Sequence, residues 1–131
     1  MKNAKLPRVY LIISGLLLTV IEGASLVQPV AFKATAGIDL AGNISAINDA
    51  RAYSTLLLSV AVLALAGAFN TRLRYTANLV APLTFLALGA GRVISLIADG
   101  MPAEGLVKAT VLELVLGIAG ALVFAVFKTK K

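Results

Sequence analysis

Residues 75–98 read YTANLVAPLTFLALGAGRVISLIA, a run of spanning length whose one charge is Arg92. A helix that crosses the hydrocarbon core of a bilayer needs about 20 mostly apolar residues, because its backbone polar groups must be satisfied within the segment. This run meets that condition, and its flanks punctuate it. Asn70, Thr71, Arg72, Leu73 and Arg74 form a polar turn before it. Asp99-Gly100-Met101-Pro102 stops it, the glycine permitting a C-terminal bend and the proline forbidding continuation. Pro82 lies inside the run and predicts a kink, which neighbouring helices can accommodate.

Three further runs of the same kind lie outward from this one. Arg8–Gln28 is apolar except for Glu22, and Asp49–Phe69 opens on an acid in its first turn, where a carboxylate suits the helix dipole. Ala103–Phe127 follows the stop signal. Lys2, Lys5 and Arg8 ahead of the first run, with GASL near its end, share features with a cleaved signal peptide; the expectation is a retained span. The chain is therefore expected to be all-α, a single transmembrane domain over residues 1–131 forming an integral membrane four-helix bundle. Its spans fall at about 8–28, 49–69, 75–98 and 103–127. The one long connection, Pro29–Ile47, is mildly apolar and interrupted by Gly37 and Gly42. It is expected to fold down over the mouth of the bundle with one short helical turn.

Composition agrees. The chain has 131 residues, 60% hydrophobic and 14% charged, with a mean hydropathy of +0.95, whereas a soluble domain has about 45–50% apolar and about 25% charged residues. The absence of cysteine excludes disulfides, Fe–S clusters, thiolate zinc sites and dithiol chemistry, and the absence of histidine argues against haem and most transition metals. No cofactor or metal is expected. The net charge of +6 is a topology signal rather than a nucleic-acid signal. Lys2, Lys5, Arg8, Arg72, Arg74, Lys128, Lys130 and Lys131 fall on one side of a four-span chain, against Lys33 and Lys108 on the other. The positive-inside rule then places both termini in the cytoplasm.

Helices in lipid associate through small residues that let backbones approach. Rows at intervals of four supply them: Gly15, Thr19 and Gly23; Val60, Ala64 and Ala68; Ala87, Gly91 and Ser95; Gly117, Ala121 and Ala125. All are expected to be packing surfaces.

Depth follows from the helical rise of about 1.5 Å per residue. Glu22 falls about 9 Å below the outer end of the first span, Arg92 about 9–10 Å below that of the third, Glu113 about 13–15 Å down the fourth and Arg51 about 3–5 Å into the second. Four ionisable groups from four helices thus converge on the outer half of the bilayer, with Asp49 and Asp99 at its mouth. Each at a helix centre costs about 2.5–3.5 kcal/mol, so Glu22 and Glu113 are expected to pair with Arg51 and Arg92. Such a network either fixes helix register or builds a polar pocket open to the outer face. In the second reading Glu22, Arg51, Arg92, Asp99 and Glu113 bind a ligand, and Asp49, Tyr53, Thr55 and Ser95 line the pocket. Two arginines with nearby hydroxyls suit an anionic or carbonyl-bearing headgroup. Tyr53 is read first as an interfacial anchor, the usual role of such a tyrosine, and second as a residue of the mouth. Asn43-Ile44-Ser45 matches a glycosylation sequon, a frequent chance match, and no phosphate-cradling glycine loop, HExxH or serine triad is present. No catalytic residue is assigned.

The acid late in the first span, N-D-A-R-A-Y at Asn48–Tyr53, G-R-V-I-S-L-I-A-D-G-M-P at Gly91–Pro102 and Glu113-Leu114 together resemble a family of small bacterial four-helix membrane proteins of unknown function, loosely similar to DoxX-like proteins. The resemblance covers nearly the whole chain, and the G-R-x-x-S-x-x-x-D-G-x-P spacing is its most specific part. It implies a multi-pass protein of the bacterial inner membrane, with Arg51, Arg92, Asp99 and Glu113 as signature positions. The chain departs from the pattern at Asp49, where a glutamate is usual, and at Ser54-Thr55, where a glycine pair is usual. No activity comes with the resemblance.

Three functions compete. The leading expectation is a small binding or accessory protein whose charged pocket engages a lipid-like or quinone-like molecule. The second is a structural or assembly subunit of a larger membrane complex, and the third a membrane enzyme or proton-coupled transporter using Glu22 and Glu113. Expected partners are membrane lipids, the lipid-like or quinone-like ligand, and a second copy of the chain or a larger membrane complex, with no nucleic acid.

Overall fold

The computed structural model describes residue 1 and residues 3–129, so Lys2, Lys130 and Lys131, counted above as flanking charges, lie outside the described residues. Five helices follow in order, α1 (Lys5–Val27), α2 (Pro29–Thr35), α3 (Ile44–Phe69), α4 (Thr71–Asp99) and α5 (Glu104–Phe127), with no strand among the described residues. Four of them, α1, α3, α4 and α5, are long and apolar enough to cross a membrane. Most of each span faces outward, through side chains such as Leu16, Val20, Leu56, Leu83, Ile94 and Leu122, as a lipid-facing surface requires.

Three of the four spanning helices are longer than the apolar runs, α5 alone starting one residue later than its run. α3 begins five residues before Asp49, at Ile44, because Asn43 caps it, its side chain accepting from the Ala46 N–H at 3.0 Å. The expected polar turn before the third run shrinks to Asn70 alone. Its N–H bonds the Ala66 carbonyl at 2.8 Å to close α3, and its side chain accepts from the Arg72 N–H at 2.9 Å to open α4. Arg74, read from sequence as a flanking charge, is buried inside α4. Its Nε and Nη2 donate to the Gly67 and Ala68 carbonyls at 3.0 and 2.7 Å, satisfying acceptors that the end of α3 would otherwise leave open.

Antiparallel pairs α1/α3 and α4/α5 form the most extensive contacts, with α3/α4 next. Small residues set the approach. A Cβ at Gly15 would stand 2.6 Å from the Leu65 Cγ, one at Gly117 2.7 Å from the Leu86 Cγ, and one at Gly89 2.5 Å from a Leu114 methyl. At Gly120 the obstacle is the Tyr10 ring, whose hydroxyl donates to the Leu116 carbonyl at 2.9 Å and joins α1 to α5. Pro82 packs at the same place.

Two of the expected small-residue rows do something else. Gly23 has no neighbour within 4 Å of a Cβ position, and Thr19 is exposed. Ala87, Gly91 and Ser95 are likewise exposed and line a cavity instead of packing; the α4 row in tight contact is centred on Gly89.

Arg8 lies over the Phe69 ring at 5.2 Å, and Tyr75 meets Phe124 edge-on at 5.2 Å, so the start of α1, the α3–α4 turn and the end of α5 share one end of the bundle. The other end is covered by α2, the short helical turn expected in the long connection. Its C-terminus is closed by bonds from the Gly37 N–H to the Ala34 carbonyl and from the Ile38 N–H to the Lys33 carbonyl, both 3.0 Å. That Schellman closure needs the positive φ of 80° at Gly37. Gly105 lets the first turn of α5 pass the backbone of Ala36, where a Cβ would stand 3.1 Å from its Cα.

Candidate functional site

Beneath α2 the helix pairs diverge and leave two cavities, of ≈ 550 Å³ and ≈ 330 Å³. Lys33, Tyr53 and Arg92 line both, so the two are neighbouring chambers with these side chains between them. Asp49, Ser95 and Thr110 contribute polar groups to the larger chamber, and Glu22 and Glu113 to the smaller. The remaining walls are mainly apolar, the usual character of a small-molecule site.

Arg92 on α4 donates through Nε to Glu113 Oε2 on α5 at 2.7 Å, a charge-assisted bond between half-buried and buried side chains. This half of the expected network stands. Glu22 is the other carboxylate: it is 5% exposed, Ser54 stands beside it, and it lies within electrostatic range of Lys33, Arg92 and Glu113. Its Oε2 has no hydrogen-bond partner, and neither have the buried hydroxyls of Ser25 and Ser54. Oε2 has no accessible surface, and the Ser54 hydroxyl beside it is the donor within reach, since leaving a buried acceptor unmet costs about 1–3 kcal/mol.

The expected pairing of Arg51 with a glutamate does not occur. Arg51 is exposed, its Nη1 donates to the Leu26 carbonyl at 2.8 Å, and it lines neither chamber. The last carbonyls of α1 lack intrahelical donors, and the guanidinium meets that need. Thr55 faces outward with it, its hydroxyl donating to carbonyls of its own helix at Arg51 and Ala52. Asp99 is exposed, accepts from Ser95 Oγ at 2.8 Å and lies beyond the chamber walls.

Lys33 is the site residue that the sequence reading missed. It projects from α2 and holds its ammonium 5.2 Å from the Tyr53 ring centroid, a cation–π contact of about 0.5–2 kcal/mol. Its one sequence signal was position, a lone lysine in the connection that folds over the mouth. Among the described residues no group of three or more metal-ligating side chains could hold a metal ion.

The arrangement sets the donors of Arg92 and Lys33 and the buried carboxylate of Glu22 among apolar walls. It shows no nucleophile next to a base, and acid–base chemistry has no positioned partner beyond the Arg92–Glu113 pair. No curated protein and no solved structure matches the chain. Residues 6–124, from the first turn of α1 to the last of α5, match DUF4345, a domain of unknown function, and the chain belongs to that family.

Proposed function

We propose that this chain is a small integral-membrane binding or accessory protein, DoxX-like in its architecture, of the bacterial inner membrane. Both termini lie in the cytoplasm and the α2-covered chambers face outward, as the distribution of Lys5, Arg8, Arg72 and Lys128 against Lys33 and Lys108 favours. The chambers hold a lipid-like or quinone-like molecule, gripped at the head by Arg92 and Lys33 with Glu22 and Tyr53. The observation that carries the reading is that buried Glu22, which has no salt bridge among the described residues, lines a cavity that Arg92 and Lys33 also line. A pair serving register alone would have no need of the space beside it.

A structural or assembly subunit is the second reading. The exposed Ala87–Gly91–Ser95 stripe favours it, since small residues at that spacing admit a partner helix. Native mass spectrometry from gentle detergent separates the two, with wild type run beside Arg92→Gln. A small adduct retained by the wild type and lost from the variant supports the binding reading. A protein partner retained by both supports the subunit, and a bare protomer in both contradicts the binding reading.

A further inference from the structure

The charges in the smaller chamber, taken pair by pair, specify the head group. Glu113 is neutralised by Arg92 at 2.7 Å, and Lys108, exposed at the rim, by Glu104 at 3.2 Å. Of the groups that line the smaller chamber, one anion and one cation remain without a salt bridge among the described residues: buried Glu22 on α1, and Lys33 on α2, held on the Tyr53 ring. They are within electrostatic range and open onto the same chamber, yet no salt bridge joins them. A space bounded by an unpaired acid and an unpaired base is complementary to a head that carries both signs.

We infer that the chamber between Glu22 and Lys33 holds the zwitterionic head of a lipid with a primary ammonium and a phosphate, the ammonium donating to Glu22 and the phosphate accepting from Lys33 and Arg92. This rests on the binding reading above and narrows its ligand. A primary ammonium has three N–H donors and can hydrogen-bond the Glu22 carboxylate, which a quaternary ammonium of the same charge cannot. Arginine and lysine are the usual phosphate partners, and Arg92 meets Glu113 through Nε alone, with Tyr53 also in hydrogen-bonding reach of its guanidinium. The larger chamber carries the tail. Its wall at Ala87, Gly91 and Ser95 is exposed on α4, and no atom lies within 4 Å of a Cβ position at Gly91, which leaves a lateral way in from the bilayer. Asp49 in that chamber is exposed and does not line the smaller chamber, where Glu22 reads the head.

The test uses delipidated full-length protein in detergent, titrated with dioleoyl phosphatidylethanolamine, phosphatidylcholine and phosphatidylglycerol, with adducts counted by native mass spectrometry. For the wild type, phosphatidylethanolamine is expected to bind about tenfold more tightly than either of the others, the value of one charge-assisted hydrogen bond. Glu22→Gln is expected to erase that advantage, whereas Lys33→Met weakens all three lipids alike because each carries the phosphate. Equal binding of the three lipids to wild type overturns the inference without recourse to any variant, and so does an unchanged ranking in a folded Glu22→Gln. If none of the three binds while a different small molecule co-purifies and is lost in Arg92→Gln, the head-group assignment fails and the binding reading stands. If nothing binds in any arm, both fail.

Discussion

Arg92 Nε and Glu113 Oε2 lie 2.7 Å apart across the α4–α5 interface, one side of the pair buried and the other bordering both chambers. In this setting each partner makes the other tolerable, because removing one leaves a charge without its counter-ion in a weakly polar surrounding. Arg92→Gln and Glu113→Gln should therefore each destabilise the protein by about 2–4 kcal/mol. The double variant should recover about 1–3 kcal/mol relative to the sum. Unfolding in mixed detergent micelles measures the cycle, and additive effects would mean that the two groups are not coupled.

Helix contact in this bundle is decided by glycines at specific positions, and the prediction follows position by position. Gly120→Ala sets a methyl against the Tyr10 ring and Pro82 and should cost about 1–3 kcal/mol by overpacking. Gly23→Ala meets nothing within 4 Å and should stabilise by up to about 1 kcal/mol through helix propensity. Thermal denaturation of the two variants side by side checks the contrast; equal effects would contradict the packing described.

Two arginines near the Asn70 turn have opposite expectations. Arg74 is buried on the final carbonyls of α3, and Arg72 is exposed. Arg74→Gln should lower stability by about 1–3 kcal/mol, the cost of leaving buried acceptors unmet, whereas Arg72→Gln should stay within about 0.5 kcal/mol of wild type. The same denaturation assay reads both.

Sidedness is directly measurable because the chain has no cysteine. Single cysteines at Asn3 and Lys128 should be protected from a membrane-impermeant maleimide in intact cells, and one at Asp39, exposed just after α2, should be labelled. The reverse pattern would invert the bundle and turn the chambers to the cytoplasm.

The four spans were legible because apolar length is a strong signal, and helical rise brought Glu22, Arg92 and Glu113 to one layer without saying which glutamate meets Arg92. Azimuth was not legible to the same degree. Arg51 was assigned from depth, yet it turns to the open carbonyl of Leu26, a demand created by where α1 happens to end. Ala87, Gly91 and Ser95 have the spacing of a packing row, but a row cannot say whether a helix or a cavity stands opposite it. Lys33 entered the site only because α2 folds inward, and that depends on a closure at Gly37 and a fit at Gly105 that are tertiary in origin. Ser54, where a glycine is usual in the resembling family, proves to be fully buried beside Glu22, so the departure touches the site itself.

The central claim is that the space next to the Arg92–Glu113 pair is occupied by a small amphiphile. Gly91→Leu tests it most directly, since Gly91 lines the larger chamber and no other helix stands within 4 Å of its Cβ position. The measurement is native mass spectrometry of this variant and wild type, paired with their unfolding temperatures. The account predicts a folded protein of equal or higher unfolding temperature that has lost the bound mass. Retention of the same mass by a folded Gly91→Leu would contradict it.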